Sequence, residues 1–524
     1  MPIRFAKTSL FLSICFLLFG CAQKDDTNYN QEQVILGELP DPSIIEVNSK
    51  YYATGSSNNW GPLYPIYESD DMRNWTFVNY SFRTLPTWTM SSYWAPELFY
   101  RNGMFYLYYT ARRNDGISCI GVATSTDLSQ GFTDKGVLLE WGNEAIDAFV
   151  YEEAGTMYIT WKAYGLNPNK PIQILGAALA NDGLSLASDS FEIMTAESDS
   201  WEKGGMEGQC IVKKGNYLYM LYSGNACCGK DCDYQVGVAR AKSIKGPWEK
   251  YEGNPILTGN ASWKCPGHGT LIASKDRWHY LYHAYSTQGF PYLGRSALLS
   301  EMKWDEGSGW PVFEIEETKI NPEILSQDIE DEFSADRLEN WWLFDVPNYH
   351  FSAATSEGKL VLTDLDRDLY NESGTVLVTV PQKPDFEMST QLAGQSNNLK
   401  GLVFYATPEN SLGLGQKDKS LILWKVADGE FNILNEIALE KADSLHLKAK
   451  MTEAHIVEFQ YSLDGTSWQP IPDTKAQSTH VVGDNLDWWS WGMKCGLFVK
   501  ADSSSQSKRG EFKRFSLTYA HPEN

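Results

Sequence analysis

A short polar or acidic signature followed by a hairpin of aromatics recurs five times in this chain, and that repeat constrains the fold more than any other feature. The signatures are Asp41-Pro42-Ser43, Trp94-Ala95-Pro96-Glu97, Ile146-Asp147-Ala148-Phe149, Glu207-Gly208-Gln209 and Gly267-His268-Gly269. Runs such as Met104 to Tyr109, Tyr217 to Tyr222 and His279 to His283 follow them. The landmarks 41, 97, 147, 207 and 268 recur every 50 to 61 residues, with short strands and no helical stretch between them. Self-similarity at this period is the sequence mark of a β-propeller, one four-stranded blade per repeat. Second hairpins with turn chemistry, such as Glu68 to Trp75 and Ala239 to Trp248, supply the outer strands. The reading is an all-β chain with a five-bladed propeller over 34–322. Asp41, Asp147 and Glu207 are carboxylates at corresponding places, and a propeller gathers such places around its axis. The repeat therefore predicts a cluster of acids in one pocket.

A chain of 524 residues exceeds what one core usually supports, so a second domain is expected. After an acidic, polar connection over 323–332 the periodicity changes. Segments such as Lys359-Leu360-Val361-Leu362, Leu402 to Tyr405 and Ile456 to Tyr461 fall at the spacing of a β-sandwich, expected over 333–524. Ser462 to Trp468 has the form of an Asp-box, but it occurs once, so it reads as an Asp-Gly hairpin turn with a Trp beneath. The sandwich carries no set of carboxylates and histidines comparable to the propeller's, and is expected to support the propeller.

The formal net charge of −23 excludes nucleic acid and anionic membrane surfaces as partners and suits neutral polysaccharide. The 19 Trp, 28 Tyr and 23 Phe could stack on sugar C–H faces, though β-proteins favour aromatics in any case. Residues 1–21 read as a targeting segment: Arg4 and Lys7, an apolar core from Leu10 to Leu18, then Leu18-Phe19-Gly20-Cys21, which resembles a lipobox. Cys21 is the expected lipidation site, 22–33 a flexible tether, and the lipid the only membrane contact. The expected location is the bacterial cell envelope. Beyond Cys15 and Cys21 seven cysteines remain. Cys227, Cys228, Cys232 and Cys265 fit no standard zinc spacing and read as disulfide formers, with a Cys227–Cys228 pair among the pairings left open. Odd parity leaves at least one free thiol.

The five signatures in order closely resemble glycoside hydrolase family 43, and the downstream region resembles the concanavalin-like (jelly-roll) sandwich that often follows such propellers. Phe333, Trp341-Trp342, Lys359-Leu360 and Ser462 to Trp468 carry the second likeness. The resemblance implies an inverting glycosidase with Asp41 as general base, Glu207 as general acid, and Asp147 orienting Glu207 and raising its pKa. It places Arg295 and Trp94 against the sugar. No cofactor is required on this reading. A structural calcium ion, if held, would be held through His268, whose plain reading is a hydrogen-bonded core histidine. One departure is Gly208-Gln209, where many relatives have a proline after the glycine.

The expected activity is exo-acting α-L-arabinofuranosidase on plant cell-wall polysaccharide side chains, with β-xylosidase or exo-galactosidase as alternatives. Base and acid carboxyls are expected roughly 6.5–9.5 Å apart, leaving room for a water. The fructan-cleaving propellers use Asn-Asp-Pro-Asn-Gly and Arg-Asp-Pro, and neither motif is met at Asp41 or Asp147. A non-catalytic glycan-binding protein is the competitor from another class, and survival of all three acids argues against it.

Overall fold

The computed structural model describes residues 31–164, 171–315, 318–320, 326–348, 351–365, 371–440, 444–483, 492–502 and 507–520. The targeting segment, with Cys21 and most of the tether, lies outside them. Among the described residues almost all regular structure is β-strand, with two single-turn 3₁₀ helices at Leu128–Gln130 and Val346–Asn348. Among the described residues no helix is long and apolar enough to cross a membrane.

Five antiparallel blades form the first domain. Blade one runs Ser43–Val47, Lys50–Thr54, Leu63–Ser69 and Thr76–Phe82. Blade two runs Thr89–Arg101, Met104–Arg113, Ser118–Ser125 and Thr133–Leu139, and blade three Glu144–Glu153, Thr156–Tyr164, Gln173–Ala178 and Phe191–Thr195. Blade four runs Met206–Lys214, Tyr217–Gly224, Gln235–Ala241 and Glu249–Lys250. The second strand of a blade is packed on both faces by its neighbours. This is why Tyr217–Gly224 and Arg277–Ser286 read as unbroken aromatic runs rather than alternating ones.

Blade five consists of Trp263–Ser274, Arg277–Ser286 and Arg295–Trp304, its fourth strand is the N-terminal Gln31–Ile35, and Thr318–Ile320 pairs parallel beyond it. The pairing of Gln31–Ile35 with Arg295–Trp304 closes the ring by joining the start of the domain to its end. It also corrects the expected tether, because Gln31, Glu32 and Gln33 are buried strand residues. Their side chains are satisfied by specific partners: Gln31 donates to Tyr282 Oη at 2.6 Å, and Glu32 pairs with Arg73 at 2.9 Å. Polar composition alone had marked them as solvated.

The second domain is a sandwich of a nine-stranded and a six-stranded sheet. Its core draws Phe333, Trp342, Leu402, Leu447, Phe459, Leu497 and Phe515 from both sheets. Ile329–Asp331, expected in the connection, pairs with Arg509–Thr518 as a strand of that domain. Asp331 is buried there and accepts from Phe333 N–H and Trp342 Nε1–H. The Asp464 carboxylate accepts from Thr466 N–H, Ser467 N–H and the Ser467 hydroxyl, so the lone Asp-box is a closed turn.

The two domains share a core. Trp60 and Tyr80 of blade one pack with Val376, Val378, Tyr405, Trp424 and Phe498 of the sandwich. Phe344–Asp345 pairs with Trp60–Gly61 across the boundary.

Candidate active site

Each of the five signatures holds a residue in the left-handed region: Asp41 (φ 50°), two residues before the first strand, and, on the innermost strands of blades two to five, Ala95 (φ 42°), Asp147 (φ 57°), Gly208 (φ 60°) and His268 (φ 33°). In blades two to five the strand register shifts at these points, which marks a β-bulge. A bulge re-aims side chains, and a non-glycine residue at such φ costs roughly 1–2 kcal/mol. The repeat is thus a repeated backbone device that points selected side chains into one pocket. It also refines the sequence landmarks. Glu207 lies one residue before its bulge, and Glu97 two residues beyond its own.

Glu97 accepts from the Ser43 hydroxyl at 2.7 Å, and burial, only partly offset by that bond, pushes its pKa up to about 8. It is a neutral axis residue at neutral pH. Two glycines let the central groups approach: a Cβ on Gly208 would fall 2.7 Å from the His268 ring, and one on Gly267 would fall 2.1 Å from Tyr234.

Asp41 is buried and held from several sides. Its Oδ1 receives Arg295 Nη1–H at 2.9 Å, and its Oδ2 receives the Ser56 hydroxyl at 2.6 Å. Ser56 in turn accepts from Ala95 N–H, which places neighbouring Trp94 at the edge of the site with Arg112 over its ring at 5.7 Å. Burial works to raise the Asp41 pKa, but the Arg295 guanidinium, the largest opposing group, outweighs it and holds the carboxyl well below the ordinary range. The Asp41 N–H donates to His283 Nδ1 at 3.0 Å, so His283 is neutral with its proton on Nε2, and burial lowers its pKa to about 4. The 3.2 Å approach of His283 to Oδ1 is therefore not an ion pair.

Asp147 lies opposite. Its Oδ2 accepts Gly208 N–H at 3.0 Å, and its own N–H donates to Thr110 Oγ1. His268 Nδ1 stands 3.5 Å from both Asp41 Oδ1 and Asp147 Oδ2. The same carboxylate set thus surrounds His268, whose backbone N–H is tied to Ser223 Oγ. Calcium asks for six to eight oxygen ligands. Among the described residues no group of three or more His, Cys, Asp or Glu side chains is placed to hold a metal, and Asp41 already serves Arg295 and Ser56. The residues around His268 do not fit a calcium cage, and no step below involves one.

Glu207 is bound on both oxygens: Lys162 Nζ donates to Oε2 at 2.7 Å and the Tyr234 hydroxyl to Oε1 at 2.9 Å. Lys162 also lies 3.5 Å from Glu144. These contacts reverse the expected division of pKa shifts. Burial pushes Asp147 up to about 7, with His268 opposing and Glu207 adding to the rise. Burial also works to raise Glu207, but Lys162 and Tyr234 overcome it, so its pKa is lowered. In this structure the raised carboxyl is Asp147 and the lowered one Glu207, and the two titrate together as a pair.

All five propeller residues expected to act together, Asp41, Asp147, Glu207, His268 and Arg295, meet in this one cluster, with Trp94 at its edge. Sequence reasoning gave no role to Lys162, Tyr234, Ser56 or His283. Lys162 had a usable signal: it is a charged residue on a strand of buried aromatics, cross-strand from Ile146 beside Asp147. Tyr234 had none, because it arrives from the loop between two strands of blade four.

Buried carboxylates held by a guanidinium, an ammonium and hydroxyls at the mouth of a propeller define a glycoside hydrolase, which cleaves with one carboxyl as acid and one as base. The chain belongs to glycosyl hydrolases family 43, whose family model matches residues 31–311. The model for the β-xylosidase C-terminal concanavalin A-like domain matches residues 330–518. The enzyme hydrolyses O-glycosyl bonds with inversion. It is 24% identical to a xylan 1,3-β-xylosidase of Vibrio sp over 93% of this chain and 98% of that one. It is 26% identical to an extracellular exo-α-(1→5)-L-arabinofuranosidase of Cellvibrio japonicus (strain Ueda107) over 55% of this chain and 89% of that one. A solved xylan β-1,4-xylosidase from Bacillus halodurans C-125 shares the fold across 93% of this chain and 99% of that one, with TM-score 0.78 at 20% identity.

Proposed function

We propose that the enzyme is an exo-acting α-L-arabinofuranosidase that removes terminal pentose units from plant cell-wall polysaccharide. Asp41 acts as general base and Glu207 as general acid, with Asp147 as the residue that governs the acid's proton. The observation that carries the assignment is the meeting of three buried carboxyls in one cluster, two of them held by cations and hydroxyls and the third, Asp147, raised. Asp41 is held ionised by Arg295 and Ser56, as a base must be. Glu207 is held by Lys162 and Tyr234, and Asp147, which burial and the charge of Glu207 raise to about 7, is the neighbouring carboxyl able to keep a proton near neutral pH. Arg295 and Trp94 flank the sugar. β-Xylosidase is the second reading, favoured by the match along almost the whole chain to a xylosidase and by the type of the C-terminal domain. Initial rates on p-nitrophenyl α-L-arabinofuranoside, β-D-xylopyranoside and β-D-galactopyranoside, then on arabinan and arabinoxylan, decide between them. The proposal expects the arabinofuranoside to be turned over fastest, and a faster xylopyranoside overturns it.

Lys162 makes a pH prediction. Its charge favours the ionised forms of both Glu207 and Asp147. In Lys162→Met that support is gone, so the pair keeps its proton to higher pH. The alkaline limb of the kcat/KM profile, where the acid loses its proton, is expected to move up by roughly one unit or more. An unmoved limb would mean that another group sets it.

Lipid anchoring at Cys21 on the bacterial envelope completes the proposal, supported by the lipobox-like Leu18 to Cys21 and by the extracellular relative. Labelled fatty acid should enter the wild type and not Cys21→Ser. Soluble, unmodified wild-type protein would remove the anchor.

A further inference from the structure

Two disulfides sit in the loop that follows Tyr217–Gly224 in blade four, and they differ in kind. Cys232–Cys265 joins residues 33 apart and ties this loop to the first strand of blade five. Cys227–Cys228 joins neighbours. A crosslink stabilises mainly by closing a loop in the unfolded chain, and a bond between adjacent residues closes almost none. Its use must therefore lie in the surface it makes where it stands.

It stands at the catalytic base. Arg295 Nη1 lies 2.9 Å from Asp41 Oδ1 and 3.8 Å from Cys227 Sγ, so one nitrogen touches both. The far end of the same loop delivers Tyr234, whose hydroxyl binds Glu207. The loop is fixed between these points by Gly229 N–H to Tyr285 Oη and by Asn225 to Asp233. Arg295 and Tyr234 are buried, whereas Cys227 and Cys228 remain half-exposed above them. Apart from the rings of Trp94 at the edge and Tyr234, the groups named in the cluster are ionic or hydrogen-bonding: Asp41, Asp147, Glu207, Lys162, Arg295 and His268. A sugar also presents C–H faces, which need an apolar, polarisable partner.

We propose that the Cys227–Cys228 disulfide is an apolar wall of the sugar pocket, against which the C–H face of the terminal pentose packs, and that it sets which sugar is preferred. The inference rests on Asp41 and Glu207 being base and acid.

The test compares wild type, the Cys227→Ala/Cys228→Ala variant and the Cys232→Ala/Cys265→Ala variant. Wild type is also treated with a trialkylphosphine. The phosphine becomes its oxide with oxygen from water, while two electrons and two protons convert the disulfide to two thiols. KM and kcat on the arabinofuranoside and xylopyranoside, melting temperature and pH profile are read for each. Loss of apolar contact in a sugar-sized pocket is expected to raise KM on the preferred pentoside roughly tenfold. The preference ratio between the two sugars should change, with the melting temperature nearly unmoved. Cys232→Ala/Cys265→Ala should instead lower the melting temperature. Unchanged KM and ratio in the 227/228 variant overturn the proposal. So does a shift of the acid limb of the profile, since the sulfur would then act through Arg295 on Asp41. If wild type cleaves no glycoside, the catalytic assignment fails separately. Calorimetric titration with free L-arabinose and D-xylose then decides, and equal Kd for wild type and the 227/228 variant overturns the wall.

Discussion

Asp41→Asn is expected to lower kcat by roughly 10³- to 10⁴-fold on every substrate, while Glu207→Gln does so only on natural polymers. Water must lose a proton whatever sugar leaves, so loss of the base is felt equally by aryl glycosides and by arabinan. Protonation of the leaving oxygen matters less when that oxygen belongs to nitrophenol, so the loss of the acid is partly hidden there. Asn keeps the shape of Asp41 and can still accept from Ser56, but it gives up the ion pair with buried Arg295. Melting curves on the same samples separate lost chemistry from lost structure. Equal losses for Glu207→Gln on polymer and aryl substrate would contradict its role as the acid, and partial activity of Asp41→Asn would contradict its role as the base.

The propeller was legible because its information is periodic. Five left-handed positions at matching places, four of them on bulges, require five signatures at matching places, and Asp41, Asp147 and His268 are three of those positions. The sandwich was legible through its large core residues, Phe333 and Trp342 among them. What the sequence hid was contact across distance. Lys162, Tyr234 and Ser56 each reach a catalytic carboxyl from another strand or loop, and no local pattern marks such a meeting. The same holds for the electrostatics. Like-charge proximity suggested that Asp147 would raise Glu207, but a lysine 45 residues away in sequence lowers Glu207 instead, and burial raises Asp147. Gln31 to Gln33 and Ile329 to Asp331 were misread for a related reason: their polar side chains look solvated until their buried partners are known.

Lys494→Met is expected to destabilise the whole enzyme by about 3–5 kcal/mol, the cost of leaving a buried charge without its partner. Lys494 belongs to the sandwich, yet its Nζ lies 2.6 Å from Glu38 of the propeller, and both side chains are almost wholly buried. Burial works to raise the pKa of Glu38, and Lys494 is the main group that opposes it. Without the lysine, Glu38 must bind a proton to stay inside. At pH 5 that proton is cheap. At pH 8 the unfolded chain has released it while the fold retains it, so stability falls as pH rises and the deficit of the variant should be larger at pH 8 than at pH 5. Adding Glu38→Met should restore most of the loss, since an apolar pair of similar size removes the stranded charge. The consequence reaches the active site because the same wedge holds its backbone. Met493 N–H donates to Tyr292 O, Leu39 N–H donates to Arg295 O, and a Cβ on Gly492 would fall 2.9 Å from Gly294 N. The segments on either side of Asp41 and Arg295 thus rest on the sandwich. Residues 34–322 expressed alone would lose Lys494 together with the shared core at Trp60 and Tyr80. They are expected to be unstable and inactive, and full activity with native stability would show the sandwich to be an independent module.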